Sequence, residues 1–269
     1  MNILKTKNND NKIAFFDSGV GGLTVYSKFR DVLPNENCVY FGDLKHLPYG
    51  NKTKEELIEY SRNIFDFFKS QNVKAVVMAC NTSSAATYST VAKEYDFKIY
   101  PIIQSCAKVI SQLDIERLGI FATESTIKSG VYESELHKYN KELKTYAQGC
   151  PQWVNIVESH TQNNPDKIDI IKSDLDKMLE HNPQKIILGC THYPFLLEVL
   201  SKFVDKDMFI DPAGYFVEYI KSDLKEANLL NTQTEIGTEE FYVSANPEQF
   251  IVASKMFYNV TNAKEIAID

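Results

Sequence analysis

The chain has 269 residues, 43% of them hydrophobic and 24% charged, which is enough apolar material for one large core or two medium ones and excludes wholesale disorder. A formal net charge of −7 and a pI near 5.4 argue against a broad surface for nucleic acid or anionic membrane. No apolar stretch approaches the roughly 18–20 residues of a membrane helix, and the opening MNILKTKNNDNK lacks the apolar centre of a signal peptide. A cytoplasmic location, with no membrane or nucleic-acid partner, is the expectation.

Strands and helices alternate along the chain. Residues 13–17 (IAFFD) read as a buried strand, followed by a glycine-rich turn at 18–22 and a helix from about Leu23 to Leu33, which Pro34 keeps from running on. Residues 37–41 are the next strand. Thr53 followed by Glu56 is a capping-box signature, and Leu57, Tyr60, Ile64, Phe65 and Phe68 recur behind it at helical spacing. A short buried strand at 74–79 leads to Cys80, with a helix from about Thr82. A strand at 98–103, a helix at 105–113, a strand at 117–122 and a helix at 125–140 continue the pattern. Beyond a less regular stretch come a helix at 166–181, a strand at 185–188 leading to Cys190, and a helix opening at Pro194. Proline suits a first helical turn because its missing N–H has no partner there. The tail holds a helix near 214–226, a strand at 240–244 and a helix behind Asn246-Pro247.

Such alternation predicts an α/β fold of mostly parallel sheets covered on both faces. Two segments share one plan: VVMACNTSS at 76–84 and IILGCTHYP at 186–194 each run from an apolar stretch through a small residue to a cysteine, a hydrogen-bonding residue and the start of a helical pattern. Their likeness predicts two similar lobes with an active site in the cleft between them. The first lobe is placed at 1–103 plus the tail 213–269, the second at 104–212.

In open α/β sheets ligands bind beyond the carboxyl ends of strands. Asp17, Cys80 and Cys190 fall at such ends, with Asn81, Thr82, Thr191 and His192 just after them. A cysteine between a strand and a helix N-terminus feels the positive end of the helix dipole, which is expected to lower its pKa towards neutrality. A lone cysteine is more often inert core; two in matched settings beside polar residues point to thiols facing one pocket from opposite sides. Opposed acid/base groups are what a racemase needs, one to take a proton from a carbon and the other to deliver one to the opposite face. With Cys38, Cys106 and Cys150 the cysteines number five, without tight CxxC pairs, so reduced thiols are expected rather than a disulfide frame or a structural zinc site.

Asp17 reads either as a turn or cap aspartate or as an acid/base partner near Cys80. The glycines behind it do not complete a dinucleotide fingerprint, because Thr24 stands at the last position. His192 is either structural or a group that holds the Cys190 thiolate and assists its proton transfer. Glu158 ends the partly apolar run WVNIVE and reads as a surface acid or as a carboxylate near a catalytic thiol. Pro48-Tyr49-Gly50 is a turn whose backbone N–H groups suit a carboxylate.

These residues resemble a known family, the cofactor-independent glutamate racemases of bacterial cell-wall synthesis. FFDSGVGGLTV at 15–25, the GD…PYGNK pattern at 42–52, ACNTSSA at 79–85 and GCTHYP at 189–194 carry the resemblance, which runs to about residue 212 and is thin beyond. The two cysteine motifs alone fit the wider aspartate/glutamate racemase superfamily; the other two narrow the match to its glutamate branch. The resemblance implies that Cys80 and Cys190 are the two bases, acting on the D- and L-isomer respectively. It implies that Asp17 supports the first and Glu158 and His192 the second. Ser18, Tyr49, Gly50, Asn81, Thr82 and Thr191, with Asp17 and His192, would hold the substrate, without pyridoxal phosphate or metal. Departures from the family's usual pattern stand at Leu44, His46, Gln104-Ser105-Cys106, Trp153 and Asn155. Glutamate racemisation feeding peptidoglycan synthesis is therefore the leading expectation, in a chain that could form a homodimer. Racemisation of aspartate or another acidic substrate, and a catalytically silent regulatory binding protein with the same pocket, are the alternatives.

Overall fold

The computed structural model describes residues 9–268. Two parallel sheets, each flanked by helices, are built in chain order. Residues 13–110 contain β1 (Ile13–Asp17), α1 (Leu23–Val32), β2 (Cys38–Gly42), α2 (Lys54–Ser70), β3 (Ala75–Met78), α3 (Asn81–Val91), β4 (Lys98–Pro101) and α4 (Ile102–Ile110). There follow β5 (Arg117–Ala122), α5 (Glu124–Lys128), α6 (Val131–Tyr139), β6 (Lys144–Gly149), α7 (Trp153–Glu158), α8 (Pro165–Leu179), β7 (Lys185–Leu188), α9 (Leu197–Leu200) and β8 (Phe209–Ile210). The tail adds α10 (Pro212–Glu226), β9 (Glu239–Val243), α11 (Pro247–Ser254) and β10 (Lys264–Glu265).

Every residue of β1, β2 and β3 is buried, which is why these strands are continuous apolar runs rather than alternating ones: helices cover both faces. The first sheet has the order β10-β9-β2-β1-β3-β4 and the second β6-β5-β7-β8, with every pairing parallel. Without the tail strands, the first sheet reads second-first-third-fourth strand, and so does the second sheet. Each cysteine segment follows the third strand of its unit.

The registers coincide as well. Phe16 pairs with Met78 and Phe121 with Leu188. The next N–H then donates across the strand pair in both units, Ala79 to the Phe16 carbonyl at 2.9 Å and Gly189 to the Phe121 carbonyl at 2.7 Å. Cys80 and Cys190 are thus equivalent positions, and the counterpart of Asp17 in the second unit is Ala122.

Local chemistry explains the element ends. Thr53 and Glu56 form the reciprocal capping box at the start of α2, the Glu56 N–H donating to Thr53 Oγ1 at 3.2 Å and the Thr53 N–H to Glu56 Oε2 at 2.8 Å. The helix expected over 125–140 is two, broken at Gly130, which adopts a left-handed φ of 64°. The stretch without regular pattern after residue 140 contains β6 and α7. The helix expected at Pro194 is a 3₁₀ turn, Tyr193–Leu196, followed by the single turn of α9.

One hydrophobic cluster runs through both units. It joins Phe15, Phe29 and Tyr40 of the first to Leu118, Ile120 and Ile187 of the second by way of Phe216, Val217 and Ile220 on α10. A second cluster lies under α2 and a third around Trp153 and α8. Among the described residues no helix is long and apolar enough to cross a membrane.

Candidate active site

The carboxyl ends of β1, β2 and β3 from one sheet and of β5, β6 and β7 from the other converge on one cavity of about 190 Å³. That is small against the roughly 300–1,000 Å³ of pockets for drug-sized ligands, and suits a single small metabolite. Both Cys80 and Cys190 line it, as do Ser18, Tyr49, Gly50, Asn81, Thr82, Glu158, Thr191 and His192. Asp17 sits behind Ser18, off the cavity wall. No lysine or arginine among the described residues lines this space.

Cys80 is the N-cap of α3 and lies 3.8 Å from the Ser18 hydroxyl. Contrary to the expected lowering by the helix dipole, its thiol is pushed up to about 11. Burial is the main cause and the neighbouring Asp17 charge the second, while the hydroxyl and N–H of Ser83 and the Ser18 hydroxyl pull the other way. Asp17 takes the turn role that the sequence allowed. Its Oδ1 accepts the Gly19 N–H at 2.9 Å, a turn role, while Oδ2 is buried with no hydrogen-bond partner among the described residues. Burial holds the Asp17 carboxyl above the ordinary range, against the lowering influence of His192.

Cys190 stands in a different setting. No long helix begins behind it, and its partner is His192, whose Nδ1 lies 3.9 Å from Sγ. His192 Nε2 is 3.1 Å from Glu158 Oε1, at the end of α7. Burial works against charge on this imidazole, but the Cys190 sulfur and the Glu158 carboxylate more than offset it and lift the pKa to about 10. Glu158 itself is half-exposed. Since Ala122 occupies the position equivalent to Asp17, the second unit brings its carboxylate from α7 and relays it through an imidazole. The two thiols are equivalent in topology and unlike in electrostatics.

Glycine is required where the units meet. A Cβ at Gly21 would fall 2.5 Å from His192 Cε1 and would also strike Thr191 Oγ1, so this glycine lets the Cys190 segment seat against the β1 turn.

The remaining polar groups are preorganised by neighbours. The Tyr132 hydroxyl donates to Asn81 Oδ1 at 2.6 Å, which leaves the Asn81 amide N–H groups to face the cavity. Thr82 Oγ1 is 3.1 Å from Thr123 Oγ1, which is in turn 2.9 Å from Thr126 Oγ1. The Tyr49 hydroxyl is committed to Asp43 at 2.5 Å, so what Tyr49 offers a ligand is its ring and its backbone N–H. Asp43 also accepts from Ser244 Oγ at 2.6 Å and faces His46 Nδ1 at 2.8 Å, while the His46 ring stacks on Tyr60 at 3.8 Å. His46 therefore braces the loop that lines the cavity at Tyr49 and Gly50. Gln104 accepts the Ser84 hydroxyl at 2.8 Å and ties α3 to α4.

Sequence reasoning missed Thr123, Cys150 and Val154 as cavity residues. Thr123 follows an apolar strand and caps α5, accepting the Thr126 N–H, and that signal could have found it. Cys150 and Val154 lie on β6–α7, which gave no periodic signal. Burial raises the Cys150 thiol well above its ordinary range.

Two thiols at the carboxyl edges of two like α/β units line one small cavity, and the chain that carries them is a racemase, an enzyme of the isomerase class. The chain belongs to the Asp/Glu/Hydantoin racemase family, whose description matches residues 23–220. Within that family it stands with the glutamate racemases. The glutamate racemase of Carboxydothermus hydrogenoformans is 35% identical over 259 residues, covering 96% of both chains. The crystal structure of the Francisella tularensis glutamate racemase, in complex with D-glutamate, superposes with a TM-score of 0.90 at 31% identity, covering 97% of this chain and 99% of that one. The Bacillus anthracis isoform RacE1 superposes with a TM-score of 0.91 at 26% identity over 97% of this chain and all of its own.

Proposed function

We propose that the protein interconverts L- and D-glutamate by a two-base mechanism in which Cys80 and Cys190 take and give the α-proton on opposite faces. The observation that carries this reading is the placement of two topologically equivalent thiols on one small cavity. As a thiolate, Cys190 removes the proton of L-glutamate and Cys80, as a thiol, protonates the other face; D-glutamate reverses the roles. Each turnover leaves the two protonation states exchanged. His192, as an imidazolium between Cys190 and Glu158, is placed to hold charge on the sulfur and to relay its proton. Asp17 stands near Cys80 in a different part: its charge disfavours a thiolate there and keeps Cys80 in the thiol form that donates a proton.

Cys80 at about 11 is a poor base in the free site. A substrate ammonium arriving beside Cys80, at the Ser18 side of the cavity, brings the opposite charge that favours a thiolate within about 4–6 Å. Ionisation of this thiol is thus coupled to substrate binding. The carboxylates would be met by neutral donors: the N-terminal N–H groups of α3 beside Asn81 and Thr82, the Ser18 and Thr191 hydroxyls, and the backbone at Tyr49-Gly50. Fixed dipoles in a closed site can stabilise the carbanion without a cofactor, so the reaction needs neither pyridoxal phosphate nor metal. The D-glutamate produced would supply peptidoglycan synthesis in the cytoplasm. The catalytic units are taken as residues 1–103 with 213–269 and as 104–212, of which 1–8 and 269 lie outside the described residues, and a homodimer is compatible with this arrangement.

The test is a polarimetric assay on cofactor-free protein with each enantiomer of glutamate and aspartate. Glutamate should be strongly preferred, because a distal carboxylate one methylene short leaves its donors unpaired. Comparable kcat/KM for the two acids, or activity lost on chelation and restored by a metal, overturns the reading.

A further inference from the structure

His192 is constrained on every side. Its Nδ1 faces Cys190 Sγ at 3.9 Å and its Nε2 faces Glu158 Oε1 at 3.1 Å, so the ring must keep one orientation for both contacts to exist. Gly21 lies against its Cε1 edge. The fourth neighbour is Phe257, whose ring meets the imidazole edge-to-face with centroids 5.7 Å apart and an interplanar angle of 79°. Phe257 is fixed in turn against Phe195, at 4.6 Å and 66°. Its backbone is held by the turn that closes α11, where the Phe257 and Tyr258 N–H groups both donate to the Ser254 carbonyl, at 2.8 and 2.7 Å. This segment is tethered to the first sheet through β9, yet Met256 and Phe257 pack on the hydrophobic cluster around Trp153 in the second unit, and Phe257 also touches the cluster shared by both units. It also lies past the residues 23–220 that the family description covers.

We infer that Phe257 is a positioning residue that holds the His192 ring, and through it the Cys190 half of the site; the inference rests on the two-thiol reading above. Glu158 is half-exposed, so water competes for its hydrogen bond and it is a weak anchor by itself. An edge-to-face aromatic contact fixes the ring plane where the hydrogen bond alone does not. Beside it opens a second cavity of about 130 Å³, between Gly19 and Val20 of the first unit and Glu158, His160, Met256 and Phe257. Truncating Phe257 would enlarge that space and give His192 both room to swing and access to water. Among the described residues Phe257 has a ring contact with His192 and neither a ring contact nor a hydrogen bond with Asp17 or Cys80, so the larger effect falls on the Cys190 half of the reaction.

Racemisation cannot show this asymmetry. Enantiomers have equal free energies in water, so kcat/KM must fall equally in both directions. Elimination can show it. In glutamate carrying chloride on the β-carbon, the base takes the α-proton, the carbon–chlorine bond breaks and chloride leaves; the enamine then hydrolyses to a keto acid and ammonium. Only the abstracting thiol is needed. In Phe257→Ala, elimination from the L-series should fall about tenfold, and from the D-series by less than about twofold. Phe257→Tyr should restore the L-series and Phe257→Leu should lie between, and these two variants decide the matter if the alanine variant does not fold. Equal losses in both series, or no loss in either, overturn the proposal. The ring signals of His192 in nuclear magnetic resonance, assigned by their disappearance in His192→Asn, give a readout independent of turnover. They should move in Phe257→Leu, and unchanged signals overturn the proposal whatever the activity does. Wild-type protein inert towards both series would sink the two-thiol reading instead, while the ring signals would still decide whether Phe257 holds His192.

Discussion

Serine in place of Cys80 or Cys190 keeps the shape of the side chain but removes its capacity to ionise near neutrality. Racemisation should then fall by roughly 10²–10⁴-fold in both directions in either variant, since every turnover needs one group to take and the other to give. Half of the chemistry should survive. Cys80→Ser should still eliminate chloride from the L-series and Cys190→Ser from the D-series, followed as keto acid formed. Near-normal racemisation in both variants, or the same handedness of elimination in both, would refute the two-thiol assignment; exchanged handedness would invert only the faces. A second residue-level prediction concerns pH. His192 is lifted from 6.5 to about 10 in the folded protein and Cys80 from 9.0 to about 11, and buried Asp17 is raised as well. In each case the folded state binds the proton more tightly than the unfolded chain does. Stability is then fully present below the unfolded pKa and is lost as pH rises through the folded one. For His192 the window runs from about 6.5 to about 10, and for Cys80 from about 9 to about 11. The melting temperature should fall across pH 7–10, and His192→Asn should flatten that slope; an unchanged slope in this variant would show that His192 is not the group responsible.

At the scale of elements, the turn after β1 and the segment after β7 are locked together by a glycine that has no space for a methyl group. Gly21→Ala would push Thr191 and His192 away from the cavity. A shift of about 1 Å at a reacting group can cost about 10²-fold, so kcat should drop by that order while KM for glutamate changes far less. Steady-state kinetics together with a thermal melt check this, and a variant with wild-type kcat would show that the segment tolerates displacement. The same elements explain what was legible in advance. Asp17, Cys80 and Cys190 could be read because each ends a short run of apolar residues buried on both faces, and because the two cysteine segments repeat a plan that the registers of the two sheets reproduce. The capping box of α2 needed only Thr53 and Glu56. Strand β6 could not be read this way: it is an edge strand with no buried residue, so it carries neither an apolar run nor a clean alternation. With it went α7, Cys150 and Val154. The direction of the Cys80 shift was missed for another reason. A dipole is visible in the order of strand and helix, whereas depth of burial and the nearness of Asp17 arise only from packing.

At the scale of the whole molecule, two equivalent units are joined by more than the chain that connects them. The cluster that includes Phe15 and Tyr40 of the first sheet also includes Leu118, Ile120 and Ile187 of the second, with α10 packed between α1 and α4 to complete it. Each unit completes the burial of its inner apolar face with residues of the other. This argues for one cooperative unfolding transition rather than two, although sequence likeness divides the chain into lobes. The protein carries its own reporter, because its single tryptophan, Trp153, lies fully buried in the second unit between Phe121 and Tyr193, at centroid distances of 4.8 and 4.9 Å. Tryptophan fluorescence therefore follows the second unit alone, while far-ultraviolet circular dichroism follows helices throughout. In a urea titration the two signals should give coincident midpoints. The excised segment 104–212 should fail to show a cooperative transition, because the cluster that holds Leu118, Ile120 and Ile187 would lose Phe15, Tyr40 and α10. A fluorescence midpoint well separated from the dichroism midpoint, or a cooperative melt of that segment, would mean that the lobes are independent folding units. The cleft, and with it the separation of the two thiols, would then be set by a hinge rather than by a shared core.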